Sequence, residues 1–225
     1  MQKYIVIADD LTGSNATCSL LKKIGLRAAS ILKLQNGMKY DTDVISYSTG
    51  SRGLDKEEAY KKVSEAIKIL KDKNVLVYNK RIDSTLRGNI GAEINAMLDN
   101  LEDDRIAVVV PAYPDSKRIV VNKTMLVNGV LLENSDAGKD PKTPIKTSCV
   151  ETLIQKDCKY SSTYFDLADI EQPIEKLIKK IQKSTEKSRV LIFDTVNNED
   201  IIKISRAIIQ SNINIITVDP GPFTL

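Results

Sequence analysis

The sequence predicts an α/β protein with a mostly parallel, doubly wound sheet in three layers. Short runs that are apolar throughout alternate along the chain with longer segments whose apolar residues recur at helical spacing. Continuous apolar runs are typical of strands buried on both faces, and strands that alternate with helices are typical of parallel sheets with right-handed crossovers. One stretch departs from this alternation, and there we expect a β-hairpin excursion from the sheet.

The first strand, loop and helix set the pattern for the first half of the chain. Strand Tyr4–Ala8 leads into a polar loop at 8–13, and a helix is predicted over 14–24. Asp55 and Glu58 are typical of the N-cap and third position of another helix. The other strands predicted in this half are 28–32, 43–47, 75–78 and 106–110, and the other helices are Lys56–Leu70 and Ile90–Leu101.

The hairpin excursion is predicted at 118–132, where Asn128-Gly129 between β-rich segments is typical of a type I′ turn. Farther along, Ser148 and Glu151 predict a capped short helix. The other features predicted in this half are a loop at 134–144, the end of the short helix at 154, strands at 163–165, Val190–Phe193 and 213–218, and helices at 173–183 and 199–210.

Composition excludes several classes of function. The 33 basic and 30 acidic residues leave a net charge of +3 over 225 residues without a basic tail or stripe, so nucleic acid is not an expected partner. The chain has no histidine, which removes Ser-His-Asp triads and histidine metal sites. No apolar run is long enough to span a membrane, no export signal precedes the first strand, and the three scattered cysteines favour a reducing compartment. We therefore expect a cytoplasmic protein without a membrane partner.

The loop ADDLTG at 8–13 places two carboxylates, Asp9 and Asp10, directly after the first strand. Ligands of open parallel sheets bind at the carboxyl ends of strands near a switch point, so one of these carboxylates can meet a ligand. A carboxylate there can accept hydrogen bonds from hydroxyls or take a proton from one in a transfer reaction. The ordinary alternative is that Asp9, Asp10 or Thr12 caps the helix that follows.

Two other polar stretches follow predicted strands. The loop SYSTGSRG at 46–53 carries Arg52, whose guanidinium suits a carboxylate or phosphate, although a solvated arginine in a turn is the ordinary alternative. The stretch YNKRIDSTLRGN at 78–89 combines cations, an acceptor and short hydroxyls beside a helix N-terminus, where anions are favoured. Its alternative is a salt-bridged turn that caps itself through Ser84 or Asn89. The candidate ligand-binding residues of this stretch are Lys80, Asp83, Ser84, Thr85 and Arg87.

Motifs for nucleotides and metals are absent from the sequence. It contains neither G-x-x-x-x-G-K-[ST] nor G-x-G-x-x-G, and paired carboxylates alone would hold Mg²⁺ only with help from a ligand's phosphates. Asp9-Asp10-Leu11-Thr12 superficially suggests the D-x-D-x-T motif of haloacid-dehalogenase phosphatases, but its carboxylates are adjacent and would not both face a substrate. We therefore assign no metal-binding or cofactor-binding residues, and we expect 8–13 and 78–89 to face the same small anionic ligand.

Six blocks of sequence together resemble the four-carbon acid sugar kinases, specifically their N-terminal substrate-binding domain. The blocks occur in family order and cover roughly residues 4–145. They are ADDLTG at 8–13, Ser51-Arg52, YNKRIDSTLRGN at 78–89, PAYPDSKR at 111–118, the VNG turn at 127–129 and DPKTP at 140–144.

The resemblance implies ATP-dependent phosphorylation of a terminal hydroxyl on a small sugar acid, such as a threonate, an erythronate or an oxo-tetronate. Family members hold the sugar acid between this domain and a C-terminal nucleotide-binding domain, so ATP and Mg²⁺ are expected mainly on a domain that this chain does not contain. From the chemistry of the residues themselves, we expect Arg52 and Arg87 to hold the carboxylate, Asp83 and Ser84 to bind hydroxyls, and Asp10 to be the candidate base. The further substrate contacts implied are Asp9, Lys80 and Thr85.

The expected organisation is one sugar-acid-binding α/β domain over 1–218, with 219–225 as the start of a linker. The chain alone would then bind the sugar acid without appreciable turnover, and the nucleotide-binding domain would act in cis or as a separate chain. Two alternatives are a stand-alone sugar-acid-binding or regulatory module without catalysis, and a Mg²⁺-dependent phosphatase. The oligomeric state is open, with a homodimer as one option.

Overall fold

The structure, a computed structural model, describes residues 3–35, 37, 40–101 and 103–225. Within these residues eight strands form one parallel sheet, and three more form a small antiparallel sheet. In chain order the strands are β1 (Tyr4–Ala8), β2 (Ala28–Ile31), β3 (Val44–Ser48), β4 (Val77–Arg81), β5 (Ile106–Val109), β6 (Arg118–Val121), β7 (Thr124–Val127), β8 (Val130–Leu131), β9 (Ser162–Phe165), β10 (Val190–Phe193) and β11 (Ile215–Asp219).

Helices cover both faces of the parallel sheet. They are α1 (Leu11–Lys23), α2 (Lys56–Leu70), α3 (Ile90–Leu101), α4 (Val150–Gln155), α5 (Leu167–Glu171), α6 (Ile174–Thr185) and α7 (Asn198–Ser211). Side chains alternate along a strand, so Ile5 and Ile7 of β1 share a core with α2 and α3, whereas Val6 packs on the other face with Leu21 of α1. Phe193 of β10 joins a third cluster with α6 and α7. The predicted three-layer α/β fold is therefore confirmed.

None of these helices, in the part of the chain that the structure describes, is both long and apolar enough to cross a membrane.

The order of strands in the parallel sheet is β2-β3-β1-β4-β11-β5-β10-β9. From β1 the chain moves outward to β2 and β3, and it then returns past β1 to form β4 on the opposite side. The direction of winding therefore reverses between β1 and β4. In open α/β sheets the carboxyl ends of strands at such a switch point form the crevice in which ligands bind.

The predicted hairpin excursion is confirmed as the separate antiparallel sheet β6–β7–β8, called here the hairpin sheet. Asn128 and Gly129 join β7 to β8 with φ values of 52° and 78°, as a type I′ turn requires. Asn122 and Lys123 join β6 to β7 with φ values of 48° and 65°. The sequence does not suggest this second turn, because lysine rarely adopts a positive φ.

Two element boundaries near the predicted site differ from the sequence-based ones. Helix α1 begins at Leu11 rather than at 14, because the Asp10 side chain accepts a hydrogen bond from the Gly13 N–H and caps it. Strand β4 runs from Val77 to Arg81 rather than over 75–78. The first residues of the stretch 78–89 are therefore part of the sheet and not of a loop.

The helix predicted near 154 exists, but its predicted cap is wrong. Helix α4 starts after Cys149, which makes no side-chain capping bond. The Ser148 hydroxyl instead accepts from the Glu133 N–H at 3.3 Å, and Glu151 pairs with Lys123 at 2.6 Å. Both side chains thus serve tertiary contacts with the neighbouring segments rather than the helix start.

Helix α5 is absent from the sequence-based prediction. It is only five residues long, and a reciprocal capping box between Asp166 and Asp169 begins it. A helix this short has too few apolar positions to show a period.

Residues 219–225, predicted to begin a linker, are packed against the domain in this structure. The Asp219 carboxylate accepts hydrogen bonds from the backbone N–H groups of Gly221, Phe223 and Thr224. Phe223 joins the same core cluster as α6 and α7. Whether a linker leads onward from this point stays a prediction.

Candidate functional site

Three loops meet at the switch-point crevice, and Arg52 joins them. Its Nε lies 2.6 Å from Asp9 Oδ2, its Nη1 lies 2.8 Å from Asp10 Oδ2, and its Nη2 lies 3.7 Å from Asp83 Oδ1. Asp9 and Asp10 follow β1, Arg52 follows β3, and Asp83 follows β4. The stretches 8–13 and 78–89, which we expected to face the same ligand, are therefore in contact through the guanidinium of Arg52.

The cluster around Arg52 is partly shielded from water. Burial lowers the pKa of the Arg52 guanidinium, but its hydrogen bond to Asp9 and the charges of Asp9, Asp83 and Asp10 outweigh that effect, so the pKa is raised. The Asp9 side chain is 3% exposed, whereas that of Asp10 is 27% exposed. Asp10 is thus the more accessible of the two carboxylates that follow β1.

Asp10 has two structural roles. Its Oδ1 accepts from the Gly13 N–H at 2.7 Å and caps α1, while its Oδ2 pairs with Arg52. The capping alternative considered for this loop is therefore true of Asp10, and it coexists with a place in the cluster. A carboxylate held at both oxygens has a fixed orientation, which is what a group that positions a reacting hydroxyl needs.

A second charged cluster continues from the first through Asp83. Arg87 forms a two-pronged pair with Asp83, at 2.7 Å and 3.1 Å, and its Nη1 lies 2.8 Å from Asp140. The Thr85 hydroxyl donates to Asp83 at 2.5 Å. The site prediction missed Asp140, although the DPKTP block of the resemblance contains it; a carboxylate in a turn-rich loop gives no local indication of its distant partner.

Charge pairing shifts the titration of this second cluster. Burial raises the pKa of Asp83, but hydrogen bonds from Arg87 and Thr85 and the charge of Arg52 outweigh it, so the pKa lies below the ordinary value. The backbone N–H of Thr143 and the side chain of Arg87 lower the pKa of Asp140. The hydrogen bond to Asp83 raises the pKa of Arg87. All three groups are therefore charged at neutral pH.

Lys80 lies beneath the crevice rather than in it. Its side chain is 0% exposed, and its Nζ lies 2.9 Å from Oε2 of Glu93, whose side chain is 1% exposed. The Nζ also donates to the carbonyls of Arg81 at 2.8 Å and Ile7 at 3.3 Å. This placement favours a structural role for Lys80 over the direct substrate contact that the sequence suggested.

Glu93 is a site residue that sequence reasoning missed. It accepts a short hydrogen bond from the Ser51 hydroxyl, and so links Lys80 to the loop that carries Arg52. Burial raises the pKa of Glu93, and the Lys80 charge opposes that shift. The sequence contained an indication of this role, because Glu93 is a charged residue on the apolar face of α3, three residues after Ile90.

The turn between β4 and α3 is fastened to the Arg52 loop. The Asn89 side chain donates to the carbonyls of Ser51 at 3.2 Å and Leu54 at 2.9 Å. Gly88 has a φ of 99°, and a Cβ there would approach Arg52 to 3.4 Å, so glycine permits close contact between the two loops. Ser84, another predicted contact, is half-buried in this turn. Asn89 therefore fixes the geometry of the site, rather than capping its own turn through its side chain.

Arg81 is a third charged residue that the prediction missed. It is 8% exposed, and its Nε and Nη1 have no hydrogen-bond partner among the described residues. A Cβ on Gly13 would lie 3.3 Å from its Nε, and one on Gly221 would lie 2.7 Å from its Nη1. Burial lowers the pKa of Arg81, and the charge of Asp219 opposes that shift.

The arrangement holds carboxylates in fixed positions at the carboxyl ends of the strands. The partly exposed carboxylate of Asp10 has lone pairs left with which to accept hydrogen bonds from hydroxyls. The described residues contain no group of three or more acidic, cysteine or histidine side chains arranged to hold a metal ion. The chemistry that these residues support is recognition of hydroxyls and acceptance of a proton.

Known proteins resemble this chain over its whole length. It is 40% identical over 231 aligned positions to the D-erythronate kinase of Heliobacterium modesticaldum. That alignment covers 100% of this chain and 52% of the relative. It is 33% identical to the D-threonate kinase of Salmonella typhimurium, over 91% of this chain and 48% of that protein. The chain thus spans about half the length of the curated relatives it matches.

A solved structure shows the same fold. A domain of unknown function from Bordetella bronchiseptica, solved with bound citrate as a domain-swapped dimer, superposes with a TM-score of 0.82 at 26% identity, over 98% of this chain and 54% of that one. Residues 4–225 match the family model described as the sugar-binding N-terminal domain. Because that match spans nearly the entire sequence, and because relatives are named as erythronate and threonate kinases, the chain belongs to the sugar-binding N-terminal domain family of the four-carbon acid sugar kinases.

Proposed function

We propose that this chain binds a four-carbon sugar acid at the carboxyl ends of β1, β3 and β4, and that it is the substrate-binding part of an ATP-dependent kinase. The kinase would phosphorylate a terminal hydroxyl of a threonate, an erythronate or an oxo-tetronate. One observation carries the proposal: Asp10 is partly exposed at the switch point, and Gly13 and Arg52 hold its two oxygens. This is where an acceptor hydroxyl would be oriented.

The proposed chemistry is simple for the protein. The hydroxyl oxygen forms a bond to the γ-phosphorus of ATP, the bond from that phosphorus to the ADP leaving group breaks, and the hydroxyl proton passes to Asp10. Phosphoryl transfer depends mainly on positioning and charge stabilisation, so a fixed carboxylate suffices as the acceptor of the proton. Asp10 need not be a strong base.

Neighbouring residues would orient the sugar acid. Asp9 and Asp83 line the same cluster, and Ser84 and Thr85 add hydroxyls on the turn after β4. The donors of Arg52 and Arg87 are largely occupied by protein carboxylates, so in this proposal they mainly hold the acidic side chains in place. Lys80 would support the site from beneath through Glu93.

ATP and Mg²⁺ would be bound mainly by a nucleotide-binding domain, joined in cis or supplied as a separate chain. The sequence of this chain has no glycine-rich phosphate loop, and the acidic side chains of the crevice are already paired with arginine. Mg²⁺, when bound with ATP, would supply charge neutralisation at the phosphates. We also propose a cytoplasmic location and a homodimer, the latter because the Bordetella bronchiseptica relative is described as a dimer.

That relative also supports the ligand class, because its structure was solved with citrate, a hydroxylated carboxylate. Calorimetry with D-erythronate, D-threonate and 3-oxo-tetronate tests the proposal. We expect the chain to bind at least one of the three, and we expect ATP-dependent turnover from a polypeptide that joins it to the C-terminal half of a relative. If the chain binds none of these three sugar acids, the proposal is overturned. If the joined polypeptide binds a sugar acid without turnover, a non-catalytic module is favoured.

A further inference from the structure

The carboxylate of a sugar acid needs a cation with unused donors, and the crevice offers few. Arg52 directs Nε and Nη2 at Asp9 and Nη1 at Asp10. Arg87 directs Nε and Nη2 at Asp83 and Nη1 at Asp140. Displacing either set would leave partly buried carboxylates without their partners, which is costly. The ligand's carboxylate is therefore better placed at another cation on the same edge of the sheet.

A cleft of about 250 Å³ lies beside this cluster, between the turn after β4 and the hairpin sheet. Thr85 lines one side, and Arg118, the first residue of β6, lines another. The Thr85 hydroxyl is bonded to Asp83, whose carboxylate faces Arg52. The cleft therefore adjoins the carboxylate cluster through a single turn.

Arg118 has donor capacity that the protein does not use. Its Nη1 donates to the Ser116 carbonyl, but its Nε is buried and has no hydrogen-bond partner among the described residues. No carboxylate in the described ranges lies within ion-pair distance of it, in contrast to Arg52 and Arg87. An arginine whose guanidinium lacks an anionic partner beside a cleft is suited to bind a carboxylate through a charge-assisted hydrogen bond.

The rest of the lining fits a molecule that is both anionic and hydroxylated. Asn128, Ser135 and Asp136 also line the cleft. A carboxylate such as that of Asp136 repels a dianion but accepts hydrogen bonds from hydroxyls. One guanidinium with one carboxylate and several neutral polar groups therefore favours a monocarboxylate that carries hydroxyls over a phosphate.

We propose that Arg118 binds the carboxylate of the sugar acid in this cleft, and that the carbon chain extends past Thr85 toward Asp83 and Asp10. This assignment rests on the proposed function and deepens it. In this assignment Arg118, rather than Arg52 or Arg87, binds the carboxylate. The hairpin sheet therefore takes part in recognising the substrate.

The test compares D-erythronate with its uncharged amide by calorimetry. The wild-type chain should prefer the acid, and Arg118→Gln should weaken acid binding by about 10- to 100-fold, the scale of a charge-assisted hydrogen bond, while amide binding stays the same. Arg105→Gln is the matched control, because Arg105 lies at the opposite, amino-terminal end of β5. If Arg118→Gln has the same ratio of acid affinity to amide affinity as wild type, the assignment of Arg118 is overturned but the proposed function is not. Failure of wild type to bind any tetronate would overturn the proposed function as well.

A second pair of variants tests the cleft without removing a charge. Val130 lines the cleft and is 47% exposed, so Val130→Trp should fill it and abolish binding of D-erythronate without disturbing the core. Leu131 is 38% exposed and follows Val130 in β8, but it does not line the cleft, so Leu131→Trp should bind as wild type does. Normal binding by Val130→Trp would contradict the proposal even if Arg118→Gln fails to fold.

Discussion

At the scale of single residues, the site depends on side chains that have two partners. Asp10 caps α1 with one oxygen and meets Arg52 with the other. A charged side chain that is also part of a helix cap cannot rotate freely, so the fold itself orients the candidate base. The capping role of Asp10 is therefore compatible with its proposed functional role.

Asp10→Asn separates these roles. Asparagine is as good an N-cap as aspartate, so the melting temperature should change little. It cannot accept a proton, so kcat of the joined kinase should fall by about 10²- to 10⁴-fold. Asp55→Asn is the matched control, because Asp55 caps α2 in the same way away from the crevice. Wild-type turnover in Asp10→Asn would show that Asp10 is not the proton acceptor.

Lys80 and Glu93 form a buried pair, which gives opposite results for single and double changes. Lys80→Met leaves the Glu93 carboxylate buried without a cation, so the free energy of unfolding should fall by about 3–5 kcal/mol. Combining it with Glu93→Leu removes the orphaned charge and should recover most of that loss. Urea denaturation measures both effects.

The double variant also tests what Lys80 does. If Lys80 acts from beneath the crevice, the folded double variant should still bind D-erythronate. Loss of binding at wild-type stability would instead support the direct contact suggested by the sequence.

At the scale of elements, β4 shows where sequence patterns stop being informative. The apolar run ends at Tyr78, so the strand was predicted to end there, yet it continues through Arg81. Lysine has a weak preference for strands, but Lys80 is stabilised there by Glu93 on α3. A contact with a distant helix overrides the local preference, and no window of sequence around β4 contains that information.

The turn from β4 to α3 should make stability depend on acid. Hydrogen bonds from Arg87 and Thr85 leave the pKa of Asp83 below its ordinary value of about 3.9. Between the native pKa of Asp83 and about pH 5, the unfolded chain binds more protons than the native chain does. The contribution of Asp83 to the free energy of unfolding is therefore complete above about pH 5 and is lost as the pH falls through the native pKa.

Asp83→Asn should therefore lower the free energy of unfolding at pH 7 by about 1–3 kcal/mol and flatten its decline between about pH 5 and 3. Asp41→Asn is the control, because the Asp41 side chain is 92% exposed. Thermal unfolding at several pH values measures the slopes. An unchanged acid slope in Asp83→Asn would contradict the pairing described for this turn.

Helix α3 is held close to the segment after α4 by a glycine. A Cβ on Gly91 would lie 2.1 Å from the Lys156 carbonyl oxygen and 2.7 Å from the Cys158 nitrogen. Gly91→Ala should therefore destabilise the fold by about 1–3 kcal/mol, although alanine favours helices. In Gly53→Ala the nearest atom would be 3.7 Å away, so this control should be neutral by urea denaturation. Equal stability of the two variants would mean that the helix shifts without cost.

At the scale of the whole molecule, local patterns predict the class of fold but not the order of its strands. Alternating apolar runs and helical periods are enough for a doubly wound parallel sheet. These patterns do not predict that β11 lies between β4 and β5, because that arrangement joins segments far apart in sequence. The sequence predicts that 8–13 and 78–89 lie together, and the pairing of β1 with β4 brings them together, although 78–81 lie within β4 itself. Asp140 and Arg118 reach the same edge through the hairpin and its loop, which no local pattern predicts.

The central claim is that the carboxyl ends of β1, β3 and β4 bind a four-carbon sugar acid. Titration of the ¹⁵N-labelled chain with D-erythronate, followed by amide NMR shifts, tests both binding and location. We predict saturable shifts concentrated at 9–13, 48–53 and 83–88, the loops that Arg52 joins, and at 118, 127–128, 130 and 134–137, which line the cleft beside Arg118. Shifts confined to the amino-terminal edge of the sheet, or no shifts with any tetronate, would contradict the claim.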